Sequence, residues 1–244
     1  MNERSRAAAR QLLPLLFLLL ASGVPAAAQA EGNPPNWCRN GAFPSDSERF
    51  RLARVKGRRG ERAHFHKDTD GCPSPRAECR ERAYVIPGNE VIVSRTYGDW
   101  ACAWYQPARG HERVGWIEAS RLDIPADAAV PPSTRWVGEW SYGESFLNIR
   151  RGKGAGRLAL DGQAYWHGLG DNVHVGEVAG EAALSGDALV FEDDTCRVTA
   201  RLAGSYLIVH DNKQCGGVNV SFDGVYRRKP PGRKAPSAPR QKAP

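Results

Sequence analysis

Between Cys38 and Tyr226 the chain consists of short runs rich in Val, Ile, Tyr, Phe and Trp that alternate with Gly, Asn and Asp. This pattern predicts β-strands joined by turns, and almost no stretch has the period of a helix. Residues 158–164 and 206–210 show the period-2 alternation of half-buried strands. Because no helix is available to cover a sheet, closing the sheet into a barrel would remove its exposed edges. The sequence therefore predicts an all-β protein.

Thirteen strands are expected from these runs. In the first half they lie near residues 50–56, 61–66, 90–96, 100–105 and 113–118. In the second half they lie near residues 136–142, 145–150, 157–165, 173–178, 188–192, 196–202, 206–211 and 218–226. We expect the second group to form an eight-stranded antiparallel β-barrel.

Residues 1–30 have the three parts of a signal peptide. Arg4, Arg6 and Arg10 are basic, residues 12–21 are an apolar run, and Ala28-Gln29-Ala30 has the small-x-small pattern of a cleavage site. The alternative is an uncleaved membrane anchor, but the run is short for a permanent span. We expect a periplasmic or secreted protein that begins at Glu31.

The chain has six cysteines, an even number that favours disulfides in an exported protein. They are Cys38, Cys72, Cys79, Cys102, Cys196 and Cys215. The last two have only each other in the second half. In the first half we favour Cys72 with Cys79 and Cys38 with Cys102, although four cysteines allow three pairings. A metal site is the alternative, but we do not predict one because no CxxC motif occurs. We also predict no cofactor.

Composition divides the chain into six segments. They are a signal peptide at 1–30, an irregular segment at 31–49, a first domain at 50–124, a linker at 125–134, a barrel domain at 135–226 and a tail at 227–244. The linker is rich in Pro and Ala. The tail is rich in Pro, Lys and Arg and is expected to be disordered, since it has too few apolar residues for a core.

The net charge of +7 comes from the tail, which has 7 basic and no acidic residues. Residues 31–226 carry 24 basic against 26 acidic residues. This balance argues against nucleic-acid binding, which needs basic residues on folded elements. We expect the tail to contact an anionic polymer or lipid electrostatically.

The first domain resembles the bacterial SH3 (SH3b-like) family over about residues 50–124. The resemblance rests on YVIPGNEVIV at 84–93, GDWACAWY at 98–105, GWI at 115–117 and Leu122. It implies a small β-barrel that binds cell-wall peptides or a protein partner. The start of the domain departs from the family, because residues 62–66 lack its usual first strand motif and the Cys72–Cys79 segment is an insertion.

The resemblance also implies a ligand groove. By position, Tyr97 and Trp100 would lie at this groove, where flat aromatic faces suit a ligand. Trp104 and Cys102 share a strand face with Trp100, so Trp104 is the third candidate ligand-binding residue. The alternative is that Trp100, Cys102 and Trp104 pack in the core around a disulfide. Trp116 is expected in the core.

The barrel domain has two further features. WVGEW at 136–140 loosely resembles the start of lipocalin-like barrels, and residues 211–222 predict a tight, disulfide-pinned turn before the closing strand. A barrel this small has little room inside for a ligand if its own side chains fill it.

No set of residues predicts catalysis. A cysteine peptidase needs a free thiolate at a helix start, and every cysteine here has an expected disulfide partner. His64 and His66 are expected to face solvent rather than bind a metal. We therefore expect a non-enzymatic cell-envelope protein whose SH3-like module binds cell-wall peptide or an envelope protein. The alternative is a secreted inhibitor of a cationic hydrolase such as lysozyme, since residues 127–226 carry 8 basic and 13 acidic residues.

Overall fold

The computed structural model describes residues 38, 43–126, 130–154 and 156–230. The predicted signal peptide lies outside the described residues, as do residues 127–129 of the linker and 231–244 of the tail. Within the described part, no helix has the length and apolar character needed to cross a membrane.

The first half forms one antiparallel sheet of seven strands. The strands are β1 (Arg51–Val55), β2 (Ala63–His66), β3 (Arg80–Val85), β4 (Glu90–Tyr97), β5 (Trp100–Tyr105), β6 (Arg113–Glu118) and β7 (Leu122–Asp123). Their order is β3-β2-β6-β5-β4-β1-β7. One face carries an apolar core that includes Val55, Phe65, Val91 and Ile117.

All five strands predicted for this half are present, but two more were not expected. β3 follows directly after Cys79, and β7 pairs with the end of β1. The sequence predicted a small closed barrel here. Among the described residues, β3 and β7 are the two ends of the strand order and do not pair, so the sheet is a half-barrel instead.

The second half forms the predicted closed, antiparallel barrel of eight strands. The strands are β8 (Gly138–Tyr142), β9 (Ser145–Arg151), β10 (Arg157–His167), β11 (Val173–Ser185), β12 (Ala188–Asp193), β13 (Cys196–Ala203), β14 (Tyr206–Asp211) and β15 (Gly224–Arg228). The barrel closes where β15 pairs with β8, which places Arg227 opposite Ser141 and Arg228 opposite Trp140.

Two boundaries in the barrel differ from the prediction. The closing strand begins at Gly224 rather than at residue 218, because residues 212–223 form a loop in which Asn219 has a φ of 67°. Arg227 and Arg228, which the sequence assigned to the tail, are the last two residues of β15. The barrel strand therefore includes the first two residues of the basic segment.

The interior of the barrel is filled by its own side chains. The largest are Trp136, Trp140, Phe222 and Tyr226, each at most 1% exposed. The indole Nε1 of Trp140 donates a hydrogen bond to the carbonyl of Trp136 at 2.9 Å. Because the interior is packed, a ligand has room to bind only at the outer surface and the loops of the barrel.

The sheet and the barrel share a second apolar cluster. The sheet contributes Phe50, Ile92 and Trp104, and the barrel contributes Ala203, Ile208 and Val225. All six are at most 8% exposed. Burying this apolar surface holds the two halves together despite the linker between them.

Three disulfides are present: Cys38 with Cys102, Cys72 with Cys79, and Cys196 with Cys215. This is the pairing that the sequence favoured. The first attaches the N-terminal segment to β5, and the third attaches the loop before β15 to the start of β13. Three disulfides indicate an oxidising environment outside the cytoplasm.

Candidate functional site

The three predicted groove residues do not form one surface. Tyr97, at the end of β4, is 42% exposed, whereas Trp100 is 8% and Trp104 is 2% exposed. Every residue of β5 except Tyr105 is buried. Only Tyr97 of the three therefore has an aromatic face that is open to a ligand.

Trp100 packs around a disulfide. It forms a buried cluster with Cys38, Cys102 and Trp116. Its indole ring lies 4.5 Å from the imidazole ring of His66, centroid to centroid. This arrangement matches the core-packing alternative for Trp100 and Cys102, and it places Trp116 in the core as expected.

Trp104 lies at the junction between the sheet and the barrel. Its ring contacts Tyr206 of β14, and its Nε1 donates a hydrogen bond of 2.8 Å to Glu112 Oε2. Both faces of β5 are covered, one by the core of the sheet and the other by the disulfide cluster and the barrel. The sequence showed that Trp100 and Trp104 share a strand face but not what covers it.

A pocket of about 450 Å³ lies beside β2, and we call it the histidine pocket. Among its lining residues are two histidines and five charged side chains: His64, His66, Glu61, Arg62, Arg80, Glu118 and Arg121. They come from β2 and the two residues before it, from β3, from β6 and from the short turn that follows β6. The pairing of β2 with both β3 and β6 brings these segments together.

His66 forms part of the buried wall of this pocket. The expectation that it faces solvent is wrong, since it is only 6% exposed. Its pKa is lowered from the ordinary value, chiefly because burial disfavours the charged ring. To a smaller extent, the hydrogen bond to the His64 carbonyl and the carboxylate of Glu118 raise the pKa of His66, and the charge of Arg80 lowers it.

The hydrogen bond of His66 fixes its tautomer. Its Nδ1 lies 3.2 Å from the carbonyl oxygen of His64. Because a carbonyl only accepts, Nδ1 carries the proton, and Nε2 of the neutral ring is an acceptor. His64 is held in the same way, with its Nδ1 2.9 Å from the carbonyl oxygen of Glu81.

The charged residues of the histidine pocket include groups of both signs. Arg121 pairs with Glu61 at 2.9 Å, and the guanidinium of Arg62 lies 4.3 Å from the ring centroid of Tyr84. Arg80 and Glu118 also line the pocket and have no ion-pair partner among the described residues. The pocket therefore offers a cation for a carboxylate and an acceptor pair, Glu118 and His66 Nε2, for an amine or amide.

A second cleft of about 690 Å³ lies between the β5–β6 loop and the barrel. Tyr142 of β8 donates a hydrogen bond of 3.1 Å to Glu112 there, and burial raises the pKa of Tyr142 to about 12, with Glu112 adding to the shift. Glu144 lies 2.6 Å from His167 Nε2. Because these polar groups already bind one another, they are less available to a ligand than the polar groups of the histidine pocket.

The loop 212–223 has a structural role. The carboxylate of Asp211 is 1% exposed and accepts hydrogen bonds from the backbone N–H of Phe222 at 2.7 Å and of Lys213 at 3.0 Å. The ammonium of Lys213 lies 2.5 Å from Asp223 Oδ2. These bonds, with the Cys196–Cys215 disulfide, hold the loop against the barrel as the sequence predicted.

The β10–β11 hairpin carries an exposed apolar surface. Leu169 in its loop is 97% exposed, and Val173 and Val175 of β11 are 44% and 42% exposed. Acidic Asp171 lies in the same loop, and Glu177 follows on the same face of β11. Large contiguous apolar patches on a protein surface often mark an interaction site, so this hairpin is a candidate contact surface.

The described residues contain no group of three or more His, Cys, Asp or Glu side chains placed to hold a metal ion. Comparisons with known protein families, characterised proteins and solved structures find no match for this chain. The sequence did not predict the histidine pocket, because it missed β3 and treated the Cys72–Cys79 segment as an insertion. The alternation His64-x-His66 on a strand was the one available signal.

Proposed function

We propose that this protein is a non-enzymatic, exported cell-envelope protein that binds cell-wall peptide through the histidine pocket of an SH3-like N-terminal domain. The observation that carries the proposal is the pocket itself, where Arg80 and Glu118 flank the buried ring of His66. The three disulfides support an extracytoplasmic location, since such bonds persist in oxidising compartments.

Cell-wall peptides have the chemistry that this pocket favours. They carry free carboxylates, backbone amides and, in many walls, a side-chain amine. Arg80 is suited to a carboxylate, because an arginine and a carboxylate form charge-assisted and often bidentate hydrogen bonds. Glu118 and His66 Nε2 are acceptors for an amine or an amide N–H. A volume of about 450 Å³ is within the range of small-ligand sites.

Co-sedimentation with purified peptidoglycan sacculi tests this proposal. The chain 31–244, a truncation at Pro230 and the variant Arg80→Ala are compared at low and high salt. Arg82→Ala is the matched control, because Arg82 lies two residues along the same strand and is exposed but does not line the pocket. We expect binding that resists salt, survives truncation and falls about tenfold in Arg80→Ala alone, a change of about 1.4 kcal/mol. Binding that disappears in salt or with the tail would reject the pocket and leave simple charge attraction.

The exposed hairpin favours a second function, inhibition of a cationic hydrolase such as lysozyme. A hairpin loop that presents Leu169 beside acidic residues suits an apolar pocket with a basic rim. Inhibition of a purified muramidase, lost in Leu169→Ser and retained in Arg80→Ala, would favour this function over wall binding. Absence of inhibition at high protein excess would reject it.

A further inference from the structure

A cleft of about 610 Å³ lies where the start of β1 meets the barrel at β13, and we call it the arginine cleft. Four arginines from separate parts of the chain line it: Arg49, Arg51, Arg135 and Arg201. The acidic residues in its lining are Glu48 and Asp187. The lining thus carries four cations and two anions, although the barrel segment 127–226 as a whole is acidic.

Arg201 is one of the two partly buried cations in this lining, and its side chain is 21% exposed. Its closest carboxylate oxygen is Asp187 Oδ1 at 3.7 Å, which is beyond hydrogen-bond distance. Its Nε is buried and has no hydrogen-bond partner among the described residues. The protein therefore offsets only part of the cost of removing this guanidinium from water.

Arg135 is held by a backbone carbonyl rather than by a carboxylate. It donates a hydrogen bond to the carbonyl oxygen of Gly204 at 2.5 Å. The neighbouring Arg228 donates to the carbonyl oxygens of Val137 and Arg135. The pKa of Arg228 is lowered, first by burial and then by the charge of Arg135. These bonds fix two guanidinium groups near each other without neutralising either.

Apolar residues lie among the arginines of the cleft. Phe50 is buried in the interface between sheet and barrel, Leu202 is partly buried, and Val130 is 63% exposed. A ligand that matches both features has an anionic head and an apolar body. Arginine groups converging on one cleft favour a phosphate, because their planar donors match its oxygens.

We propose that the arginine cleft binds a phosphate ester that carries an apolar chain. The sheet supplies Arg51 and the barrel supplies Arg201, so the site exists only where the two halves pack together. A membrane lipid headgroup and a free organic phosphate have this chemistry in common. The site is separate from the histidine pocket and does not depend on the function proposed above.

Isothermal titration of the chain 31–244 with dodecyl phosphate, below its micelle concentration, tests the proposal. Inorganic phosphate and dodecyl maltoside are the comparison ligands. The double variant Arg51→Gln/Arg201→Gln removes one cation from each half. The matched control Arg54→Gln/Arg197→Gln changes one exposed arginine on each of the same two strands, outside the cleft.

We expect dodecyl phosphate to bind about tenfold more tightly than inorganic phosphate, and the double variant to weaken it about tenfold, each a difference of about 1.4 kcal/mol. The matched control should stay within about twofold, with all proteins unfolding at similar urea concentrations. Equal weakening in both double variants, binding that is lost on truncation at Pro230, or no binding would overturn the proposal. Equal binding of both phosphates would reject the apolar part of the site.

Vesicles distinguish the two sources of phosphate. The vesicle experiment uses proteins truncated at Pro230, since the basic tail could itself bind anionic lipid. Co-sedimentation with phosphatidylcholine vesicles containing phosphatidic acid, lost in Arg51→Gln/Arg201→Gln, would identify a lipid headgroup as the ligand. Binding of dodecyl phosphate without vesicle binding would identify a free phosphate ester. Vesicle binding that both double variants retain would contradict the site.

Discussion

The indole ring of Trp104 in β5 meets the phenol ring of Tyr206 in β14 edge-on, with 5.1 Å between the ring centroids. The same indole donates a hydrogen bond to Glu112, and Glu112 also accepts a hydrogen bond from the hydroxyl of Tyr142 in the barrel. A residue that the sequence placed at a ligand groove thus joins the sheet to the barrel. The two halves are therefore packed against each other through side-chain contacts.

Replacing Trp104 with alanine tests this junction. The change removes a large buried ring and leaves Glu112 without one of its donors. We expect Trp104→Ala to lower the free energy of unfolding by about 3–5 kcal/mol in urea titrations. Tyr97→Ala, at an exposed aromatic residue of the neighbouring strand, should cost at most about 1 kcal/mol. Similar losses in the two variants would contradict the junction.

Acidification should destabilise the protein through His66. Burial lowers its pKa in the folded state below the ordinary value of 6.5, to which it returns on unfolding. Between these two pKa values the unfolded chain binds more protons. The stabilisation is therefore complete above about pH 6.5 and is lost as the pH falls toward the folded pKa. Urea titrations of the wild type at pH 7.5 and 5.5 should show this loss.

A variant separates His66 from other titrating groups. His66→Gln should be less stable than the wild type at pH 7.5 and should lose less stability on acidification. His111→Gln, in the exposed β5–β6 loop, should keep the wild-type difference between the two pH values. If His66→Gln shows the same difference in stability between the two pH values as the wild type, the pH effect comes from another group.

Asp211 should contribute more to stability than any exposed acidic residue. In Asp211→Asn an amide N–H₂ replaces one of two oxygens that accept backbone N–H groups, so one donor loses its partner. We expect a loss of about 1–3 kcal/mol in the free energy of unfolding. Asp194→Asn is the control, because Asp194 is exposed in a turn with a φ of 46° that asparagine tolerates. A neutral Asp211→Asn would show that the loop does not depend on this carboxylate.

The disulfides should stabilise the fold in the order of the loops that they close. Cys196 and Cys215 are 19 residues apart and Cys72 and Cys79 are 7 apart. By loop entropy alone, replacing the first pair with serine should cost roughly 3 kcal/mol and replacing the second roughly 2 kcal/mol. Urea unfolding of the two double variants gives both values. The reverse order would mean that native contacts outweigh loop entropy.

Much of the fold was predictable because its strands alternate and its turns carry Gly, Asn and Asp. Strands β5, β6 and β14 have the predicted bounds, and the closed barrel follows from eight strands without a covering helix. β3 was missed because the first three of its six residues, RERAYV, are charged. The late start of β15 was missed because Val218 and Val220 resemble strand residues but lie in a loop.

The site was less predictable, because it depends on which faces are covered. Periodicity placed Trp100 and Trp104 on one face of β5, but the covering elements are Cys38, more than sixty residues earlier in sequence, and Tyr206, about a hundred residues later. The histidine pocket likewise needs Arg80 of β3 and Glu118 of β6 to lie on either side of β2. Local sequence patterns do not predict contacts between residues that are so far apart in sequence.

The most direct test of the central claim is an NMR titration of the histidine side chains with a cell-wall stem tetrapeptide. The chain has six histidines, of which His64 and His66 lie in the pocket and His111 and His174 do not. We predict that the imidazole signals of His64 and His66 shift and saturate together, while those of His111 and His174 stay in place. Shifts confined to histidines outside the pocket, or none at saturating peptide, would contradict a peptide site in the N-terminal domain.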